Sequence, residues 1–422
     1  MQDHPLRYEL ANEMHARPFM AVAVPSTAVF LALKREGDAA GRDRAADMAH
    51  LCALLDRFDA PRPKPGATHY FGQIGRHWLK WESHTEIVTY TAFCSGLSPR
   101  PFDPADFEVF PDDWLKQAPG KRLTSALIRV EEMGADRAMV AALSDWFVPE
   151  SLAASRVLED AAVMAGDFRI DPAGHLRFAV FTQAGVGQRR VGRIVQRLCE
   201  IEAYKALALL GLARARAISP ELARIEAQLG ALVGEMEKDG QPAEETLDGL
   251  LGVSAGLEEL AARTAFRFSA TAAYGQLVQE RVAVPGETRF IGRQSFAEFM
   301  LRRFVPALRT VAATRARLET TQTRAARAGE FLRTRVDVER SAQNQALLES
   351  MDRRADLQLR LQRTVEGLSV VAISYYAVNL VSYALYPLAK TAHFEKTMVS
   401  AVATPVVVAI VWLVVRNIRK RH

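Results

Sequence analysis

The segment RHWLKWESHTE, residues 76–86, brings together His77, Glu82, His84 and Glu86, residue types that ligate metals. On a strand, Glu82, His84 and Glu86 share one face at period two, which is one way to build a first coordination shell. The same alternation arises on a half-buried strand whose charges face water while Trp81 and Ile87 face inward, and this plainer reading is preferred. No metal is assigned.

A second candidate is FAVFTQAGVGQRRVGRIVQ, residues 178–196, which reads as strand, glycine-rich turn and helix. Free backbone N–H groups and a positive dipole end would favour an anion at Gly187, Arg189 and Arg190. The spacing of Gly185, Gly187 and Gly192 is neither the dinucleotide fingerprint nor a P-loop, and no Lys-Ser/Thr pair follows. A tight turn is the default, with anion binding as the alternative. His15 and Arg17 in EMHARPF suit a structural or interface role. Cys52, Cys94 and Cys199 lie far apart, form no metal or redox spacing, and are expected to be reduced and buried. No Ser/His/Asp or Cys/His set is recognisable, so neither an enzyme nor a cofactor is expected.

The third candidate is EGLSVVAISYYAVNLVSYALYPLAK, residues 366–390. From Gly367 to Ala389 it is uncharged and long enough to cross a bilayer, yet it carries serines, tyrosines and an asparagine. At 100° per residue, Ser369, Tyr375, Tyr376, Asn379, Ser382, Tyr383 and Tyr386 fall within an arc of about 140°. Val370, Ile373, Ala377, Leu380, Val381, Ala384, Leu385 and Leu388 fill the opposite side. Polar groups left unpaired in hydrocarbon each cost on the order of kcal/mol, so the stripe has to face protein or water. Hydroxyl and amide oxygens on a shared axis can replace part of an ion's hydration shell, which makes Ser369, Tyr376, Asn379, Tyr383 and Tyr386 pore-lining candidates. The alternative is that tyrosines anchor the helix at the interfaces, a role that suits Tyr386, while Asn379 bonds a neighbouring helix.

The elements that would position these residues follow from periodicity. FMAVAVPSTAVFLALK, residues 19–34, reads as strand and GRDRAADMAHLCALLDRF as helix. Aromatic and β-branched runs from Thr68 to Gly96 and from Arg122 to Met133 argue for an antiparallel sheet. Two more strands flank the turn Asp171-Pro172-Ala173-Gly174, where the sheet is expected to end. Helical spacing begins after Gly187. Ser219-Pro220 reads as the start of a further helix, with Ser as cap and Pro in the first turn. More helix is expected over 245–282. After Pro285-Gly286 and Pro306, little interrupts a helix from Ala307 into the first span, a rod of about 90 Å if sixty residues rise 1.5 Å each. Val311, Leu318, Ala325 and Leu332 recur every seven residues, fitting a coiled coil or equally a neighbour within the chain.

Length and composition agree. The chain has 422 residues, 49% hydrophobic and 24% charged, with a formal net charge of +5. The start, MQDHPLRYEL, does not read as a signal peptide, so the large N-terminal part is expected to stay cytosolic. Between Arg302 and Arg363 there are fourteen arginines and no lysine. Only Phe304 and Phe331 interleave with them, which favours an anionic partner or membrane surface over nucleic acid. A second uncharged run, Thr397 to Val415, is long enough for another span. Arg353, Arg354, Arg360 and Arg363 precede the first span and Arg416, Arg419, Lys420 and Arg421 follow the second, which puts both termini in the cytoplasm.

A cytosolic domain, a stalk running into the first of two C-terminal spans and a basic tail together resemble the CorA-type two-span divalent cation channels. That resemblance implies a pentamer whose first span lines the pore and carries Tyr-Gly-Met-Asn near its outer end. The corresponding residues here are Tyr376-Ala377-Val378-Asn379, which keep the Tyr and the Asn, and the connecting loop is net basic where that family's is acidic. The blocks HPLRYELANEMHARPF, HWLKWESHTE and GRIVQRLCEIEAYKALALLGL are similar to the domain of unknown function 3422 family of bacterial membrane-anchored proteins, across nearly the whole chain. This second resemblance implies membrane anchoring and no particular activity.

The expected architecture is a cytosolic α+β domain over 1–216, a helical stalk region over 217–366, and transmembrane helices at 367–389 and 397–415. The expected function is a homo-oligomeric protein of the bacterial inner membrane, CorA-like, passing or sensing an ion or small anion along its axis, with membrane lipid around it. The alternative is a membrane-tethered binding or scaffold protein.

Overall fold

The computed structural model describes residues 3–8, 11, 20–37, 43–236, 243–283, 286–391 and 396–419. The chain divides into two compact units. One is Met1–Gln241 with Glu245–Gly329, and the other is Pro242–Glu244 with Glu330–His422.

The first unit is built on a nine-stranded sheet in the order β2-β3-β4-β1-β5-β8-β7-β6-β9. Its strands are β1 (Ser26–Lys34), β2 (His69–Ile74), β3 (His77–Ser83), β4 (Ile87–Ser95), β5 (Lys121–Glu132), β6 (Ala153–Val157), β7 (Ala162–Gly166), β8 (Leu176–Thr182) and β9 (Thr288–Arg289). Among the described pairings all are antiparallel except β5–β8, which run parallel. The antiparallel expectation is corrected at that seam, because β8 enters beside β5 only after the chain has crossed over through β6 and β7. The sheet also does not end at Thr182, since β9 pairs with β6.

Both faces of the sheet are covered. Central strand β1 shows why: STAVFLALK is apolar at almost every position, as expected where neither face meets water. Val29, Leu31 and Leu33 pack with Leu51, Leu54 and Leu55 of α1 (Arg44–Asp56), Trp114 of α2 (Asp112–Lys116), and Met139 and Leu143 of α3 (Asp136–Trp146). The intervening Ala28, Phe30 and Ala32 meet Val191, Ile194, Val195 and Leu198 of α4 (Gln188–Met236). Trp81 and Ile87 are both buried, as their place in the sequence suggests, but in different cores on opposite faces.

Helix α4 runs without interruption through Ser219 and Pro220. The reading of Ser219 as a cap is therefore corrected: its hydroxyl donates to the Ala215 carbonyl at 2.7 Å, inside the helix. Proline removes one backbone bond there, a cost that burial of Ile218, Leu222 and Ile225 offsets. Next come α5 (Ala243–Ala283), α6 (Phe296–Arg303), α7 (Val305–Thr391) and α8 (Lys396–Arg419). Pro306 falls in the first turn of α7, where a missing N–H is harmless. Val311, Leu318, Ala325 and Leu332 are each at most 3% exposed within one chain. The seven-residue repeat is thus used by intrachain packing, which leaves a coiled coil between copies without support.

One ion cluster fastens α5 to the sheet. Glu86, in the β3–β4 turn and 2% exposed, receives both arms of the Arg267 guanidinium and lies 3.7 Å from Lys34 Nζ. Tyr274 beside it is pushed up by burial and by the Glu86 carboxylate, so its phenol stays protonated. A second buried cluster sits across the sheet. His50 Nδ1 is 3.1 Å from the Tyr90 hydroxyl, its Nε2 is 3.0 Å from the Trp114 carbonyl, and Trp114 Nε1 donates to the His50 carbonyl at 2.8 Å.

Removing Arg267 takes both short contacts from the buried Glu86 carboxylate and leaves it only Lys34, 3.7 Å away. Arg267→Met is expected to cost about 3–5 kcal/mol, and Glu86→Gln/Arg267→Met clearly less. Urea unfolding of the full-length protein in detergent checks this, and equal losses would show that the charge pairing contributes nothing.

Histidines give a pH prediction. Burial holds His50 and His175 below the usual imidazole value, and burial with the Arg76 guanidinium lowers His77 to about 4. Below pH of about 6.5 the unfolded chain therefore binds more protons than the folded one, so stability falls with pH through this window. Thermal midpoints should drop between pH 7 and 5, and His50→Gln/His77→Gln/His175→Gln should flatten the profile.

Candidate functional site

The two apolar C-terminal helices belong to the second unit. Helix α7 contains an 18-residue stretch of mean hydropathy 1.6 and α8 one of 1.7, and only 11% and 6% of these stretches are buried. A helix in the core of a soluble domain would be largely covered, so length, composition and exposure together make both helices candidates to span a membrane.

The pair packs antiparallel. Arg363, Gly367 and Val370 share a cavity of about 480 Å3 with Trp412, Val415 and Arg416, while Val381 and Leu385 share an apolar one of about 630 Å3 with Met398, Val402 and Val406. Small residues bring the backbones together. Ser374 and Ser382 of α7 are 6% and 9% exposed, Ala403 and Val407 of α8 9% and 8%. Neither serine hydroxyl has a hydrogen-bond partner.

This packing sorts the polar residues of α7. Val370, Ser374, Val381 and Ser382 turn toward α8, whereas Ser369, Tyr375, Tyr376 and Tyr383 stay exposed and Asn379 is half-covered. The three tyrosines are 66%, 67% and 67% exposed, and the rings of Tyr375 and Tyr376 meet edge to face at 5.8 Å. Ser382 is therefore corrected from the stripe to the intrachain contact, because at the edge of its arc it lies nearer to α8 than to the stripe's centre. The side chain of Tyr386 lies outside the described residues, as do 392–395 of the connecting loop.

Elsewhere the sequence candidates separate. Glu86 belongs to the Arg267 cluster, Glu82 lies 3.2 Å from Lys80 Nζ, and His84 Nε2 is 3.3 Å from the Thr89 hydroxyl. Among the described residues no group of three or more His, Cys, Asp or Glu is placed to hold a metal ion. The glycine-rich turn lies between β8 and α4, with Gly185 at a φ of +83° and Arg189 and Arg190 exposed. Gly192 has a packing role instead: a Cβ there would lie 1.9 Å from the Met20 carbonyl oxygen. His15 and Arg17 lie outside the described residues. Cys52 and Cys94 are half-buried and Cys199 is buried, with its thiol pushed up by that burial. Several of the stalk arginines are engaged within the chain: Arg317 pairs with Glu226, Arg315 with Glu319 at 2.8 Å, and Arg335 with Glu339 at 3.0 Å.

A partly buried polar chain had no signal in the sequence. Lys80 Nζ donates to Gln196 Oε1 at 3.0 Å, the Gln196 amide to Glu200 at 2.8 Å, and Arg281 Nε to Glu200 at 2.5 Å. It links β3, α4 and α5 over sequence separations of 116 and 81 residues, beyond the reach of any local pattern.

These features define a class: an N-terminal sheet domain with α and β elements, long helices after it, and two exposed apolar helices at the C-terminus. The chain belongs to the family described as "Protein of unknown function (DUF3422)", whose model matches residues 2–422. No curated protein matches the chain.

The unpartnered hydroxyls of Ser374 and Ser382 make a direct prediction. Replacing both by alanine keeps the close approach and removes two unsatisfied groups, so the thermal midpoint in detergent should hold or rise. A fall of several degrees would show that those hydroxyls bond in the α7–α8 contact.

Proposed function

We propose that this protein is a homo-oligomeric, multi-pass protein of the bacterial inner membrane in which the Ser369–Tyr383 stripe of each copy lines a shared axis that passes or senses an ion. One observation carries the reading. The second apolar helix of the same chain covers the side of α7 away from Tyr375 and Tyr376, whose rings stay largely exposed among the described residues. Against acyl chains, phenol and amide groups would lose their hydrogen bonds, and neighbouring copies of α7 remove that cost. Asn379, with a donor and an acceptor at one position, is the strongest single contributor to such an interior. The basic residues flanking the two helices favour cytoplasmic N- and C-termini.

A second reading is a membrane tether for the cytosolic domain, which assembles no pathway. The inward turn of Ser374 and Ser382 favours it, because part of the polar set serves the pairing of one chain's own helices.

Subunit counting in detergent and cysteine cross-linking separate the two. In a background lacking Cys52, Cys94 and Cys199, Tyr376→Cys should cross-link between copies, and Val370→Cys, on the side facing α8, should not. Liposomes containing the protein should pass cations above the empty-vesicle rate, and Asn379→Leu should lower that flux by at least about tenfold, which corresponds to roughly 1.4 kcal/mol. A monomer with no cross-link and no flux leaves the tether.

A further inference from the structure

The first unit contains a cleft of about 550 Å3 where the end of β1, the start of β5, α4 and α5 meet. Its wall carries Lys34, Arg35, Lys121, Arg122, Arg214 and Arg267. Among the described residues the only carboxylate lining it is Glu36, paired with Lys121 at 2.6 Å, and Glu86 lies behind, held by Arg267 and Lys34. Among the described residues, Arg35, Arg122 and Arg214 have no carboxylate partner. Arg35 Nε is shielded from solvent and has no hydrogen-bond partner.

Six cations against two carboxylates around one concave volume repel one another when the cleft holds only solvent. Low-dielectric walls focus their field onto whatever enters. Ion pairing with the protein's own acids accounts for Lys121, Lys34 and Arg267, and leaves three guanidinium groups to be explained. A guanidinium presents a planar fork of donors that matches phosphate bidentately, so three of them suit a ligand with more than one phosphoryl group. The volume lies within the range of small-molecule pockets and far exceeds a single phosphate. One wall is aliphatic, formed by Leu123, Leu210, Ala213 and Ala217, and among the described residues no aromatic side chain lines the cleft. Base stacking, on which single-stranded nucleic acid binding relies, has no platform here.

We propose that this cleft binds a small oligophosphorylated molecule, gripped by Arg35, Arg122 and Arg214. Arg122 comes from β5, Arg35 from the end of β1 and Arg214 from α4, so a bound ligand joins sheet and helix across the cleft. Because binding is confined to the folded state, occupancy raises stability in proportion to the logarithm of ligand concentration. This site is independent of whether α7 lines a conduit or serves as an anchor.

The experiment uses full-length protein in detergent with inorganic tripolyphosphate as the probe. The expected result is a saturable calorimetric signal of one probe per chain and a thermal midpoint that rises with probe, with no such rise in sodium chloride at matched ionic strength. Arg122 and Arg214 are exposed, so Arg122→Ala/Arg214→Ala should fold with a midpoint that holds or rises in the absence of probe, as mutual repulsion is relieved, and bind it at least tenfold more weakly. Absence of saturable binding to the wild type would overturn the proposal, as would equal affinity in the double variant. Tighter binding of a single-stranded oligonucleotide than of tripolyphosphate, lost in the same variant, would reassign the cleft to nucleic acid and likewise overturn it.

Discussion

A carboxylate at the end of a β-hairpin, Glu86, sits where water cannot reach it, with the Arg267 guanidinium and the Lys34 ammonium against it. Taking a carboxylate out of water costs several kcal/mol, and the repayment depends on geometry. Arg267 supplies both arms of its guanidinium from α5, and Lys34 approaches from the last residue of β1. Three segments far apart in the sequence must arrive together for that charge to be tolerated. The cluster therefore acts as a test of correct assembly: a sheet without α5, or α5 without the hairpin, leaves a buried charge without its closest partner.

Around that constraint the sheet domain is a layered scaffold. Its central strands β1, β5 and β8 are buried on both sides, because α1–α3 cover one face and α4 the other. Close backbone approach at Gly192 and the chain from Lys80 through Gln196 and Glu200 to Arg281 fix α4 against the sheet and α5 against α4. With Lys34 and Arg267 turned inward to Glu86, Arg35, Arg122 and Arg214 beside them have no carboxylate partner among the described residues. A cationic cleft is thus a by-product of how the fold neutralises its buried carboxylate, and it becomes useful if an anionic ligand occupies it.

The C-terminal helices obey a different accounting. In a soluble core an exposed tyrosine is unremarkable, since its hydroxyl meets water. In hydrocarbon the same hydroxyl needs a protein partner. The α7–α8 contact uses small residues, Ser374, Ser382 and Ala403, and leaves the tyrosines outside it. That division of faces is the physical basis of the self-association proposed above.

The amino-acid order alone carried the features with a local physical cause. The β-rich run over 19–34 marked β1, whose strand begins only after Pro25, the Asp171–Gly174 turn marked the approach to β8, and the uncharged run after Gly367 marked an apolar stretch of helix. The spacing of the polar residues on that run was equally local, since a helix places residues by rotation angle. Pairing decided the rest. That β5 and β8 run parallel, that Pro220 lies inside α4, that Val311, Leu318, Ala325 and Leu332 are covered within one chain, and that Glu86 is a buried ion rather than a surface charge all depend on partners from distant segments. Periodicity reports which side of an element is apolar, but not which element will cover it. An ionisable side chain reads the same in sequence whether it faces water or a guanidinium 181 residues away, and only the folded chain distinguishes the two.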